Sequence, residues 1–250
     1  SEASIKTAYD LITKHTKWLS DTIVIIDPCV NPDGRDRYVN FYKQNRGIPY
    51  DTNQNSIEHD EPWHNGRTNH YAFDLNRDWA WVTQTETKNR INKFNDWLPH
   101  IHVDFHEQGI NSPYYFAPAV EPYHEVVSKL QREFQEIIGR NHAKYFDEKG
   151  WLYFTKEKFD LLYPSYGDTY PMFLGSIGMT YEQAGGGIAG LGVRNDENTE
   201  VTLKDRIEHH HMTGISTVEM AAKFRILLNK NYQSFFDNKN VKYKNFVFEG

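Results

Sequence analysis

Between His100 and Gly109 the chain reads HIHVDFHEQG, and everything of chemical content in the sequence can be placed relative to that stretch. Ile101, Val103 and Phe105 alternate with His100, His102, Asp104 and His106, the period of a β-strand with one apolar and one polar face. The polar face ends in His106, just before Glu107, Gln108 and Gly109 leave the strand. An imidazole at a strand exit stands where open α/β sheets carry their sites. Taken alone, such a histidine reads equally well as a solvated polar residue or as a metal ligand.

The segments around it alternate between helical and extended patterns. Ile5, Ala8, Leu11, Ile12, His15, Trp18 and Leu19 keep helical spacing and predict an amphipathic helix that ends before Asp21. Thr22 to Asp27 is a short apolar run rich in β-branched residues, the pattern of a buried interior strand. Asn31-Pro32-Asp33-Gly34 then signals a turn. A helix followed at once by such a strand calls for an earlier parallel partner, so residues upstream of Ser1 are expected. Residues 47–71 are rich in Asn, Asp, His and Gly, and Tyr50, Trp63 and Tyr71 within them point to an ordered surface loop. Further helices are expected over 84–98, 121–149 and 203–228, strands over 114–117, 151–155 and 176–182, and a loop over 156–174. One α/β domain over residues 1–229 accounts for these, with 230–250 a tail or the start of a linker.

Composition narrows the function classes. A net charge of -6 argues against non-specific nucleic-acid binding, which needs a basic surface. Despite 15% aromatic residues, no run approaches the ~20 apolar residues of a membrane span. Cys29 is the single cysteine, so any metal must be held by His and carboxylate, and Cys29 itself is expected to be a small buried residue. His209, His210 and His211 are consecutive on an expected helix, so they point about 100° apart and do not converge on a metal; they read as surface and half-buried positions.

Three polar clusters fall at the ends of expected strands: Asp74-Asn76-Arg77, His106 and Glu182. Each has a plain explanation as a helix cap or a solvated strand end. Together they call for an anionic substrate and a hydrolytic step.

NPDG (Asn31 to Gly34), Arg46, DLNR (Asp74 to Arg77), His106 and the Glu182 of TYEQAGG, in that order, resemble the zinc carboxypeptidases of the carboxypeptidase A/B type. Arg46 stands twelve positions after Gly34, as the family's pattern has it. The resemblance runs from the first helix to the last. It implies a central mixed, twisted β-sheet with helices on both faces, its N-terminal strands missing from this chain, and an activity that removes the C-terminal residue of peptides with one zinc ion. On the resemblance His106 matches the third zinc ligand and Glu182 the base that deprotonates the zinc-bound water. Arg46 matches the arginine that polarises the scissile carbonyl, Asn76 and Arg77 the grip on the substrate's terminal carboxylate, and Asp74 the carboxylate that orients a zinc-bound imidazole. The mobile tyrosine falls in LLYPSYGD, as Tyr163 by spacing, with Tyr166 the alternative.

Two departures stand out. The family's first two zinc ligands form a His-x-x-Glu motif, and the chain contains none. Glu58 and His59, or Glu61 and His64, lie on the wrong side of NPDG to replace it. These 250 residues alone are therefore expected to bind zinc weakly or not at all and to lack peptidase activity. The second departure is Glu107-Gln108 after the histidine, where Glu107 is free in sequence terms to face the metal or the substrate's penultimate residue. Two other functions share these features: a related zinc deacylase or peptidoglycan amidase, and a non-catalytic module that keeps only the carboxylate grip. Enzymes of this type are often exported, which slightly favours a periplasmic or extracellular place.

Overall fold

In the computed structural model, which describes residues 2–237, α1 spans Glu2–Thr13, α2 Pro32–Asn45 and α3 Thr85–Trp97, and the histidine-bearing strand β1 spans Ile101–Gln108. There follow β2 (Tyr114–Tyr115), β3 (Val120–Tyr123), α4 (Lys129–Lys149), β4 (Tyr153–Phe154), β5 (Asp160–Leu161), α5 (Thr169–Met172), β6 (Ile177–Ala184), β7 (Gly192–Arg194), β8 (Glu200–Thr202), α6 (Leu203–Lys223) and α7 (Arg225–Phe235). Residues 238–250 of the expected tail lie outside the described residues.

The central sheet has the order β1-β6-β2-β4 and is mixed: β1 and β6 run parallel, β2 runs antiparallel to β6, and β4 parallel to β2. On its apolar face Ile177, Met179 and Tyr181 of β6 meet Phe134, Ile138 and Phe146 of α4 and Met220 of α6. Fully burying one such side chain contributes about 1.5–3 kcal/mol. On the opposite face His102 packs edge-on against Trp79 and against Phe94 of α3. The α/β class, with a mixed twisted sheet between helices, is thus as expected.

The long helix expected over 121–149 starts only at Lys129, because Ser128 and Gln131 form a capping box and Pro122 sits in β3. Residues 203–228 are not one helix either; the chain breaks at Phe224 and resumes as α7. The loop expected over 156–174 contains β5 and α5. NPDG does not make a turn but opens α2: Asn31 caps it, accepting from Gly34 N at 3.0 Å, with Pro32 in the first helical turn.

The first expected helix stops at Thr13, and Trp18 and Leu19 fall in a separate 3-10 turn over Thr16–Ser20. Thr22–Asp27 is the clearest correction. It forms no strand among the described residues, and Ile23 is 73% and Ile25 57% exposed. Only Val24 leans on the cluster of Leu11, Ile215 and Val218. An apolar run becomes an interior strand only where a ladder partner takes its backbone groups, and no described strand pairs with this one. Cys29 next to it is partly exposed rather than buried.

Residues 47–71 are irregular apart from one 3-10 turn at Ile57–His59. Of the three expected aromatic anchors only Tyr50 serves, half-buried and donating to Glu200 at 2.7 Å; Trp63 and Tyr71 are exposed, and buried Glu58, His59 and Asn69 order the rest. Glu58 accepts from Gly47 N at 2.9 Å and from the Tyr42 hydroxyl at 3.1 Å.

Candidate active site

Because β1 and β6 pair in parallel register, His106 lies beside Glu182, Asp104 beside Thr180 and His102 beside Gly178. Paired residues of parallel strands project from the same face. One imidazole and one carboxylate, far apart in sequence, therefore share one spot at the strands' C-terminal end. Glu182 is 8% exposed, and the side chains of His106 and Asp104 are 16% and 15% exposed.

Charge is concentrated there. Asp104 Oδ2 lies 2.7 Å from His106 Nε2. Burial works against a charged imidazole, but the Asp104 carboxylate outweighs it, with Glu182 adding to the pull, and His106 is raised to about 9. Burial and the negative field of Asp104 push Glu182 up to about 7, against the opposing pull of His106 and Arg67. Asp168, buried and close to Asp104, is raised by burial to about 6. A carboxyl group near 7 is suited to take and return protons at neutral pH.

Asp74 caps the short 3-10 turn Leu75–Arg77, its Oδ1 accepting from Asn76 N at 2.9 Å. The turn delivers the Asn76 carboxamide to His106, with Nδ2 3.1 Å from Nε2, while Asn76 Oδ1 accepts from Gly167 N at 2.7 Å. Gly167 must lack a side chain, since a Cβ would stand 2.2 Å from Asp104 Oδ2. Arg77 is exposed, with its guanidinium 4.4 Å from the Tyr166 ring centroid. Tyr163 stacks edge-on against Tyr166, and its hydroxyl accepts from Trp81 Nε1 at 2.9 Å. Asp74, Asn76, Arg77, His106, Glu182, Tyr163 and Tyr166 thus belong to one connected arrangement.

The zinc carboxypeptidase family profile matches residues 1–185, about three quarters of the chain. The chain belongs to the zinc carboxypeptidase family. Its fold is similar to that of a metallo-carboxypeptidase from Burkholderia cenocepacia, with a TM-score of 0.59 at 13% identity over 90% of this chain and 54% of that one. A metallo-carboxypeptidase from Pseudomonas aeruginosa, solved in complex with (2-guanidinoethylmercapto)succinic acid, matches at a TM-score of 0.45 and 13% identity over 66% of this chain and 42% of that one. The chain therefore spans about half the length of the solved carboxypeptidases it matches. None of the curated proteins matches it.

Some positions within this family frame differ from the sequence reading. The carboxylate on the His106 ring is Asp104, while Asp74 binds Arg67, whose Nε donates to Asp74 Oδ2 at 3.0 Å. Asp104 was legible in principle, since residues two apart on a strand share a face. Glu107 faces neither His106 nor a cleft but turns to α6: Arg206 Nη1 donates to it at 2.9 Å and Gln183 Nε2 at 3.0 Å. Arg206, 5% exposed, also reaches the Gly190 carbonyl, so the pair ties the glycine-rich turn after Glu182 to α6. Arg46 is exposed at the end of α2, where its backbone N–H bonds the Tyr42 carbonyl.

The three consecutive histidines do diverge, but two of them are buried rather than at the surface. His209 packs on Trp151, His210 lies 2.8 Å from the Tyr114 hydroxyl, and His211 meets Asp10. Glu58 and His59 serve the loop over 47–71, His59 Nε2 lying 2.6 Å from the Asp51 carbonyl.

Zinc is the family's metal, and the described residues do not by themselves make its site. Among them no group of three or more His, Cys, Asp or Glu side chains is arranged to hold a cation, whereas a catalytic zinc needs about three protein ligands. His106 Nε2 is engaged by Asp104 and faces Asn76.

Proposed function

We propose that this chain carries the base and the carboxylate-gripping side of a metallocarboxypeptidase active site, which removes the C-terminal residue of peptides. The observation that supports it most is the register that sets His106 beside Glu182, with Asn76 on the same imidazole. In this reading Glu182 takes a proton from the attacking water and passes it to the leaving amine; its raised pKa suits both directions. Arg77 and Asn76 hold the substrate's terminal carboxylate, for which a planar guanidinium is better matched than an ammonium. Tyr166 rests on Arg77 and Tyr163 on Tyr166, so both are positioned to close over the bound end. A guanidinium polarises the scissile carbonyl, the role that the family's spacing gives to Arg46. Asp74, which holds Asn76 in its turn, positions the grip.

His106 is the one residue of this set that matches a zinc ligand of the family. We propose zinc as the metal of the whole enzyme, and weak zinc and no cleavage for residues 1–250 alone. Elemental analysis is expected to find well under one zinc per chain, and stoichiometric zinc would overturn that part.

Binding tests the rest. A peptide with a free C-terminus is expected to bind at least tenfold more tightly than its C-terminal amide, about 1.4 kcal/mol, and Arg77→Ala is expected to abolish the difference. A deacylase or amidase that does not read a peptide end would bind both alike. If calorimetry shows equal affinity for the two peptides in the unaltered chain, the carboxypeptidase reading fails.

A further inference from the structure

We infer that the tyrosine segment between β5 and α5 is locked onto the DLNR stretch before substrate arrives, and that Ser165 is the positioning residue that locks it. The inference rests on the carboxypeptidase reading above for what Tyr163 and Tyr166 cover. It departs from the mobile tyrosine that the family resemblance implies, because here the bonded arrangement is the resting one.

Alternate residues of the segment bond the DLNR stretch in reverse order. The Tyr163 hydroxyl accepts from Trp81 Nε1 at 2.9 Å. Ser165 Oγ accepts from Ala80 N at 2.9 Å and donates to the Arg77 carbonyl at 2.8 Å, and Gly167 N donates to Asn76 Oδ1 at 2.7 Å. Ser165 is the centre of this row. It is fully buried, and its one hydroxyl serves as donor and acceptor across the gap. Lifting the segment would strip Ser165 Oγ, Ala80 N and the Arg77 carbonyl of these partners at once, and a buried polar group left unpaired is costly. Between the bonded positions, Tyr166 lays its ring against the Arg77 guanidinium.

The stretch that receives the segment is itself fixed. Asp78 is buried; its Oδ1 accepts from Thr83 N and its Oδ2 from Gln84 N, each at 2.9 Å, which holds residues 78–84 at the start of α3. Trp79, also buried, packs on Phe94 and on Tyr170 of α5. A Cβ at Gly167 would stand 3.0 Å from Trp79 Nε1, so the segment lies directly on that indole. Pro164 fixes its own φ between two of the bonded positions. A loop that moves is held by few contacts, whereas this one is tied at residues 163, 165 and 167. It does not have to be ordered at the moment a terminal carboxylate binds, and preorganisation of this kind raises affinity.

Amide hydrogen exchange and stopped-flow binding on the full chain test the lock, in the unaltered protein, Ser165→Ala and Trp81→Phe. Without ligand, the Ala80 and Gly167 amides of the unaltered chain are expected to exchange at least a hundredfold more slowly than unstructured amides. A peptide with a free C-terminus is expected to bind in one phase whose rate rises linearly with peptide concentration. In Ser165→Ala the Gly167 amide, whose partner the substitution does not touch, is expected to exchange at least tenfold faster while the amides of β6 are unchanged. A second, concentration-independent binding phase is expected there, and the free-acid peptide should bind at least tenfold more weakly while its C-terminal amide changes less than twofold. Trp81 is 65% exposed, so Trp81→Phe removes one bond without disturbing the core, and the same changes are expected to be smaller. Should Ser165→Ala not fold, Trp81→Phe decides. If Ala80 and Gly167 exchange like unstructured amides in the unaltered chain, if the slow phase is already present there, or if Ser165→Ala weakens both peptides alike, the lock is overturned while the carboxylate grip stands. If the unaltered chain binds the two peptides alike, the carboxypeptidase reading fails instead, and exchange at Gly167 still decides the lock.

Discussion

Gly178→Ala is expected to destabilise the chain by about 3 kcal/mol or more, at the upper end of what overpacking costs. Gly178 is the second residue of β6 and pairs with His102 of β1. A Cβ there would stand 1.7 Å from the Asp168 carbonyl oxygen and 2.8 Å from its carbonyl carbon. Both are backbone atoms, so no rotamer change relieves the clash; the segment from Gly167 into α5 must move. That segment supplies Gly167 N to Asn76 and packs its glycine against Asp104, so the displacement reaches the imidazole as well.

Gly109→Ala is the matched control, because a Cβ there meets nothing within 4 Å. Gly109 lies just past the end of β1 and not at a positive φ, and at such a position alanine usually stabilises relative to glycine by roughly 0.4–1 kcal/mol. Urea denaturation of the three proteins measures both effects. A Gly178→Ala stability within about 0.5 kcal/mol of the unaltered chain, the range of ordinary surface changes, would contradict the packing of α5 on β6.

His142→Phe is expected to make the chain less sensitive to acid by about 2 kcal/mol between pH 7 and pH 5. His142 is fully buried on α4, edge-on to Tyr181, with Nδ1 2.7 Å from Ser216 Oγ. Burial lowers its pKa to about 3. The unfolded chain takes up this proton near pH 6.5 and the folded chain does not, so below 6.5 the unfolded state binds more protons and stability falls with pH. The contribution is fully present above about 6.5 and is lost progressively toward about 3.

Other groups move the total in both directions. His210, also lowered to about 3 by burial, acts with His142. Glu182 and Asp168, raised by burial to about 7 and about 6, bind protons more readily when folded and so favour the folded state as pH falls through those values. Only the difference between the two proteins isolates His142. Equal pH 7 to pH 5 changes in the two would show that this histidine is not held neutral.

The period-2 alternation of β1 and the apolar stripes of α3 and α4 were legible because each depends on neighbours along the chain. The carboxylate-gripping residues were legible but their setting was not: Asp74, Asn76 and Arg77 were expected at a strand end, whereas DLNR makes a local 3-10 turn that Asp74 caps from two residues away. The pairing of His106 with Glu182 could be suspected from strand ends but not fixed, since a register is a relation between strands and a slip of one residue reverses the facing side chains.

Thr22–Asp27 shows the converse. Its composition suits a buried strand, yet among the described residues no partner takes its backbone, and the apolar side chains stand exposed. Glu107 and Arg206 were opaque for a further reason: they are 99 positions apart, and nothing in either local pattern announces the other. Asp104 was overlooked although its spacing from His106 places both on one face. A carboxylate on a strand is read as solvated until the segment packed on its face is known, here the one that carries Gly167.

Titration of the His106 ring in the metal-free chain reads the central arrangement most directly, by nitrogen-detected magnetic resonance on the unaltered protein, Asp104→Asn and Glu182→Gln. With Asp104 2.7 Å from the ring and Glu182 beside it in register, the imidazole should stay protonated to about pH 9. It should lose its proton at much lower pH in Asp104→Asn and at somewhat lower pH in Glu182→Gln. A ring that titrates near its ordinary value of about 6.5, unmoved by either substitution, would show that the three groups do not share one place.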